Sequence, residues 1–125
     1  MKILDKEKIK GYVKYYYDLL DDSKFKKALL NYSQLRGYGV IEDIWCCFAN
    51  EYEEWEEDYF GESGIAFYFD YPAVKEDCYI ILENKEFYQY LVEQCEEYIN
   101  RRPNDKNEIE ELLKIISNKL NLGLK

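Results

Sequence analysis

A chain of 125 residues is the length of one domain, and its 47% apolar and 18% aromatic content is enough for a packed core without disulfide staples. Against 17 basic residues stand 26 acidic ones, a formal charge of −9, which disfavours nucleic-acid phosphates and anionic membrane surfaces because both would repel it. There is no histidine, which excludes histidine-dependent triads and Cys-His dyads and removes the commonest metal ligand.

In chain order, residues 1–10, MKILDKEKIK, are charged throughout and lack the apolar run of a signal peptide. The most apolar run, near residues 44–49, is far too short to cross a bilayer. A cytoplasmic protein is expected, with Cys46, Cys47, Cys78 and Cys95 as reduced thiols. Ile9, Val13, Tyr16, Tyr17 and Leu20 recur at helical spacing; residues 12–17 also suit a strand, but the helix is favoured despite Gly11. Ser23 is the expected cap of a helix that buries Phe25, Ala28, Leu29 and Tyr32, with Gly37 as its stop. After Gly39, residues 40–48 are rich in β-branched and aromatic side chains and read as a strand.

Gly64 opens a second strand over residues 65–71, with Ile65, Phe67 and Phe69 on one face and Ala66, Tyr68 and Asp70 on the other. A connection through Pro72 leads to a third at residues 78–82. Asn84 is placed to cap a helix with Glu86 in its first turn, a buried stripe of Phe87, Leu91, Cys95, Tyr98 and Ile99, and Arg101, Arg102 and Pro103 at its end. Asp105 and Glu108 resemble a capping box for a last helix burying Ile109, Leu112, Leu113, Ile116 and Leu120 and ending at Gly123. The pattern predicts an α+β fold: one domain over residues 1–125, with a short antiparallel sheet of about three strands packed against three to four helices.

Between the first two strands lies EYEEWEEDYFGE, residues 51–62, which carries seven carboxylates and no Lys or Arg, with Tyr52, Trp55, Tyr59 and Phe60 among them. Charge runs ordinarily face water. This one also has the means to attract a cationic polypeptide from a distance and bury aromatic area on contact.

Catalytic readings are weaker. Gly37 and Gly39 form only a G-x-G that precedes a strand, not a phosphate loop before a helix. Cys46 and Cys47 are adjacent, so on a strand they point to opposite faces and cannot readily share a metal. Glu53, Glu54, Glu56, Glu57 and Asp58 lack the alternating ligands and central glycine of a calcium loop, and a crowded exposed run does not separate carboxylate pKa values as acid–base catalysis requires. The alternative reading is a small acidic carboxylate-dependent enzyme or metal-binding protein; an adaptor that binds partner proteins is a third. No catalytic residue, metal or cofactor is expected.

Residues 24–40, KFKKALLNYSQLRGYGV, followed by IWCCF, GIAFYFD and the long stretch EFYQYLVEQCEEYINRRPNDKNEIEELLKII at residues 86–116, resemble the immunity proteins of contact-dependent growth inhibition systems, of the type paired with ribonuclease toxins. The similarity is strongest in the helix bearing Phe87, Tyr88, Leu91, Cys95 and Tyr98 and in the Arg-Pro-x-Asp-Lys connection, and it covers most of the chain beyond about Ser23. It implies a cytoplasmic antitoxin that binds the toxic C-terminal domain of a secreted effector. A ribonuclease must bind phosphate, so its cleft tends to be basic. The resemblance thus implies a cognate basic toxin domain as partner, and charge independently favours a cationic polypeptide, not nucleic acid and not a membrane. The expected toxin-binding residues are Trp55 and Tyr59 as anchors, Glu53, Glu54, Glu56, Glu57 and Asp58 around them, and Asp70 and Tyr71 at the end of the following strand.

Overall fold

A computed structural model describes residues 1–123. Helix α1, Lys6–Leu19, settles the ambiguous N-terminal segment: Asp5 accepts from the Lys8 N–H at 3.0 Å, and Val13, Tyr16 and Tyr17 form the buried face. Helix α2, Asp22–Ser33, buries Phe25, Ala28, Leu29 and Tyr32 as expected, but its cap is Asp21, not Ser23. The Asp21 carboxylate accepts from the Ser23 N–H and hydroxyl, and a negative group is favoured at the positive end of a helix. The helix stops at Ser33, before Gly37, because Leu35 takes the left-handed conformation at φ 55°. Gly37 is small for another reason: a Cβ there would lie 1.8 Å from the Cys46 carbonyl oxygen, where the next strand passes.

The sheet has four strands, not about three. Residues 40–48 divide into β1, Gly39–Ile41, and β2, Ile44–Phe48, joined by a turn at Glu42 and Asp43. Apolar residues on both sides of that polar pair disguised the hairpin. Strand β3, Ile65–Phe69, stops short of residue 71 because the Asp70 N–H turns to the Asp43 carbonyl (2.8 Å) and that of Tyr71 to the Asp77 carboxylate (2.8 Å). With β4, Cys78–Leu82, the strands form an antiparallel meander in the order β1-β2-β3-β4.

Ile44, Cys46 and Phe48, Ile65, Phe67 and Phe69, and Cys78, Ile80 and Leu82 are buried in alternation along β2–β4. They meet an aromatic cluster from the helices: Phe87 packs edge-on to Tyr32 at 5.3 Å and to Phe48 at 5.4 Å, while Tyr16 meets Phe67 edge-on at 4.9 Å. The Tyr16 hydroxyl lies 2.8 Å from that of Tyr32 and 3.4 Å from Cys46 Sγ, and donates to the Tyr38 carbonyl at 2.9 Å. These linked polar groups make it possible to bury two tyrosines completely. Burial pushes the Cys46 and Cys95 thiols up to about 12, and all four cysteines are free. The two most buried thiols are thus held protonated and unreactive.

Helix α3, Asn84–Arg101, and helix α4, Lys106–Lys119, complete the fold. Glu83, not Asn84, caps α3, with its N–H bonded to the Glu86 carboxylate at 3.1 Å. The Asn84 side chain instead accepts from Gly64 N–H at 3.0 Å and donates to the Leu120 carbonyl at 3.4 Å, tying the start of β3 to the end of α4. Asp105 stands at the N-cap position of α4, as expected, but its side chain makes no capping bond. It accepts instead from the Tyr98 hydroxyl at 2.6 Å and pairs with Lys26 at 3.0 Å, and Glu108 also pairs with Lys26. The helix ends before Gly123, with Asn121 left-handed at φ 58°. Ile99 and Leu113, expected in the buried stripes, are only half-buried.

Asp22 joins the start of α2 to the end of α3 by pairing with Arg101 at 3.0 Å and Arg102 at 3.3 Å. The Arg101 hydrogen bond, against a smaller opposing desolvation, holds its carboxyl below the usual range. A depressed folded pKa stabilises above the unfolded value and is lost as pH falls through the folded one. Asp22→Asn should therefore lower thermal stability at neutral pH by up to about 1 kcal/mol. In melts at stepped pH, the gap from the native chain should close below about pH 4. A gap that persists at the lowest pH would show that the pair does not carry the effect.

Candidate docking site

The β2–β3 connection is built from its foot upward. A short 3-10 turn, Ala49–Glu51, brings the Glu51 carboxylate under the loop, where it accepts from the N–H groups of Phe48 (3.0 Å) and Gly37 (2.6 Å). The first carboxylate of the acidic run is therefore structural. Tyr52 and Phe60 turn inward and meet edge-on at 6.2 Å, and the Tyr52 hydroxyl lies 3.5 Å from Cys47 Sγ. Between them the chain makes two consecutive turns, Glu56 N–H to Glu53 carbonyl at 2.9 Å and Tyr59 N–H to Glu56 carbonyl at 3.1 Å. The Glu56 carboxylate braces the first by accepting from Glu53 N–H at 3.2 Å.

This arrangement sorts the aromatics of the loop. Tyr52 and Phe60 hold it down, Tyr59 is half-buried, and Trp55 stands 81% exposed at its tip. Glu53, Glu54, Glu56, Glu57 and Asp58 are all exposed around it. Desolvation, followed by the charges of Glu54 and Glu62, raises the Tyr59 phenol, which stays neutral and able to donate a hydrogen bond.

Asp70 and Tyr71 are not part of this cluster. The loop leaves from the Phe48–Ile65 end of the β2–β3 pair, whereas Asp70 follows the Ile44–Phe69 end, about 14 Å away at the rise of an antiparallel strand. There Tyr71 is 69% exposed, and desolvation with the charges of Asp77 and Asp43 raises the Asp70 carboxyl. The expected site therefore divides into two acidic patches at opposite ends of the sheet.

Between them lies a feature that sequence reading missed. Trp45, Tyr68 and Tyr79 occupy one cross-strand row on the face turned away from the helices, with Trp45 and Tyr68 stacked at 5.2 Å and Tyr68 and Tyr79 tilted to each other at 6.1 Å. The signal was available in the second position of IWCCF, the fourth of IAFYF and the second of CYIIL, which alternation sends to the outer face. Only the register reveals that they adjoin.

Among the described residues, no group of three or more His, Cys, Asp or Glu side chains is arranged to hold a metal ion, and no helix is long and apolar enough to cross a membrane. Fold and surface together define a small acidic α+β domain that carries an exposed acidic and aromatic loop. A family model described as CDI immunity protein matches residues 9–113, and the chain belongs to that family. The match takes in most of α1, which the sequence resemblance had left aside, and runs into α4. Membership makes the chain a toxin-neutralising immunity protein of contact-dependent growth inhibition, one that binds a cognate toxin. No curated protein and no solved structure matches it significantly.

Proposed function

We propose that this immunity protein acts in the cytoplasm as a non-enzymatic inhibitor of a ribonuclease toxin, laying its acidic-aromatic loop over a basic active-site cleft. The exposure of Trp55 amid uncompensated carboxylates carries this reading. Leaving an indole in water forgoes roughly 2–3 kcal/mol of burial. Among the described residues Trp55 and Tyr71 are the only aromatics left so open to water, and a partner that covers Trp55 gives its exposure a purpose.

Trp55 and Tyr59 are the anchors in this proposal. Glu53, Glu54, Glu56, Glu57 and Asp58 draw in the toxin and pair with its Lys and Arg side chains, while Asp70 and Tyr71 engage a more distant part of it. Blocking the cleft excludes RNA by shape and by charge together, since a surface lined with carboxylates competes with phosphate for the same cations.

The test is the association rate with the neighbouring toxin domain at rising salt. Between about 20 and 150 mM salt the rate should fall roughly tenfold as the Debye length shrinks to about 8 Å, while dissociation changes much less. An association rate that stays flat across this range would remove the steering role of the loop.

A further inference from the structure

The outer face of the sheet is chemically unusual for this chain. Its outward positions on β2–β4 are Trp45 and Cys47, Ala66 and Tyr68, and Tyr79 and Ile81, none of them charged. An antiparallel sheet packed on one side ordinarily turns polar residues to water on the other, and 34% of this chain is charged. The loop covers only part of the face. Ala66 is fully buried, the Tyr52 hydroxyl rests against Cys47, and Phe60 and Ile81 flank Gly64.

The row Trp45–Tyr68–Tyr79 remains partly exposed. Its rings brace one another, so little side-chain freedom is left to lose on binding. Beyond Trp45, the register partner is Gly39, which has no side chain to cover the far face of the indole. Carboxylates flank the row on both sides, beyond the two ends of the strands. Asp43, Asp70 and Asp77 lie close enough together for the charges of the other two to act on Asp70, and Asp58 acts on Tyr68 from the loop side. Lys2, bridged to Tyr79, adds a cation at the β4 edge, so the acidic bias lies toward β1–β3.

We propose that this row is a second anchor of the toxin interface, occupied by an arginine-bearing segment of the basic toxin domain whose guanidinium stacks on the free face of Trp45 above Gly39, with Asp43 and Asp70 as its anionic partners. Arginine fits better than lysine because its planar cation stacks on an aromatic face while its edge still pairs with a carboxylate. The inference rests on the reading of the partner as a basic toxin. It gives Asp70 and Tyr71 a place, as the rim of a contact that runs from the loop across the sheet.

The chain has two tryptophans, one in each candidate anchor, so hydroxyl-radical footprinting of the native complex with the toxin domain reads the two separately. Oxidation of Trp45, Tyr68 and Tyr79 should fall several-fold on binding, together with that of Trp55. Protection of Trp55 alone would overturn the second anchor and leave the loop reading intact. Protection of the row without Trp55 would uphold the second anchor and remove the loop as the primary contact. A neutralising complex that protects neither would end both. As a second measure, Tyr68→Lys places a cation on the outward face and should speed dissociation at least roughly tenfold. An unchanged dissociation rate in a variant that still melts cooperatively would overturn the proposal, and a variant that fails to fold leaves the decision to the native footprint.

Discussion

Phe87→Ala should lower folding stability by about 3–5 kcal/mol. Phe87 is fully buried and stands where the helical layer meets the sheet, in contact with Tyr32, Phe48 and Phe67 at centroid distances of 5.3, 5.4 and 6.2 Å. Truncation removes apolar area and three edge-on or tilted ring contacts together. The neighbours cannot close the gap readily: Tyr32 is hydrogen-bonded to Tyr16, and Phe48 is fixed in the ladder between β2 and β3. A domain of this size has roughly 5–15 kcal/mol in all, so the variant should unfold at much lower urea with little change in slope. A midpoint shift equivalent to less than 1 kcal/mol would mean that the cluster is looser than its geometry implies.

Trp55→Ala should have the opposite signature. Its side chain is 81% exposed and makes no core contact, so stability should move by no more than about 0.5 kcal/mol. Toxin dissociation should quicken roughly 30-fold or more, the scale of an interface hot spot of about 2 kcal/mol. Phe87→Ala, where it folds, should bind at nearly the native rate constants. The two variants thus separate the scaffold from the surface. Equal dissociation rates for native and Trp55→Ala chains would exclude the indole as an anchor.

Local chemistry made much of the fold readable. The stripe Phe87, Leu91, Cys95 and Tyr98 repeats at helical spacing because one face of α3 must meet the sheet, and the structure buries all four. The α1 stripe prevailed over the strand reading for the same reason: Val13, Tyr16 and Tyr17 share a helical face but would point to both sides of a strand. Errors gathered where a polar group had two suitors. Asp105 stands where a cap should, yet Tyr98, seven residues before it, and Lys26, far off in sequence, claim its carboxylate. Asn84 serves Gly64 and Leu120, and Ser23 yields to Asp21.

The candidate site was legible in the same measure. Composition alone marked residues 53–59 as acidic and aromatic, and these come together on one loop. That Trp55 faces water while Tyr52 and Phe60 hold the loop down is not written in the local pattern, since all are aromatics between acids. It follows from which rings can reach Cys47 and the outer sheet.

The sequence by itself determined the α+β class, the helical faces, the negative charge and the absence of histidine chemistry, because periodicity and composition act over a few residues and need no partner. Only the tertiary structure decided which carboxylates are structural, how far Asp70 lies from Trp55, and that Trp45, Tyr68 and Tyr79 form one row. Those facts depend on strand register, and register is set by contacts among residues that stay apart until the chain folds, Trp45 lying 23 positions from Tyr68 and Tyr68 lying 11 from Tyr79.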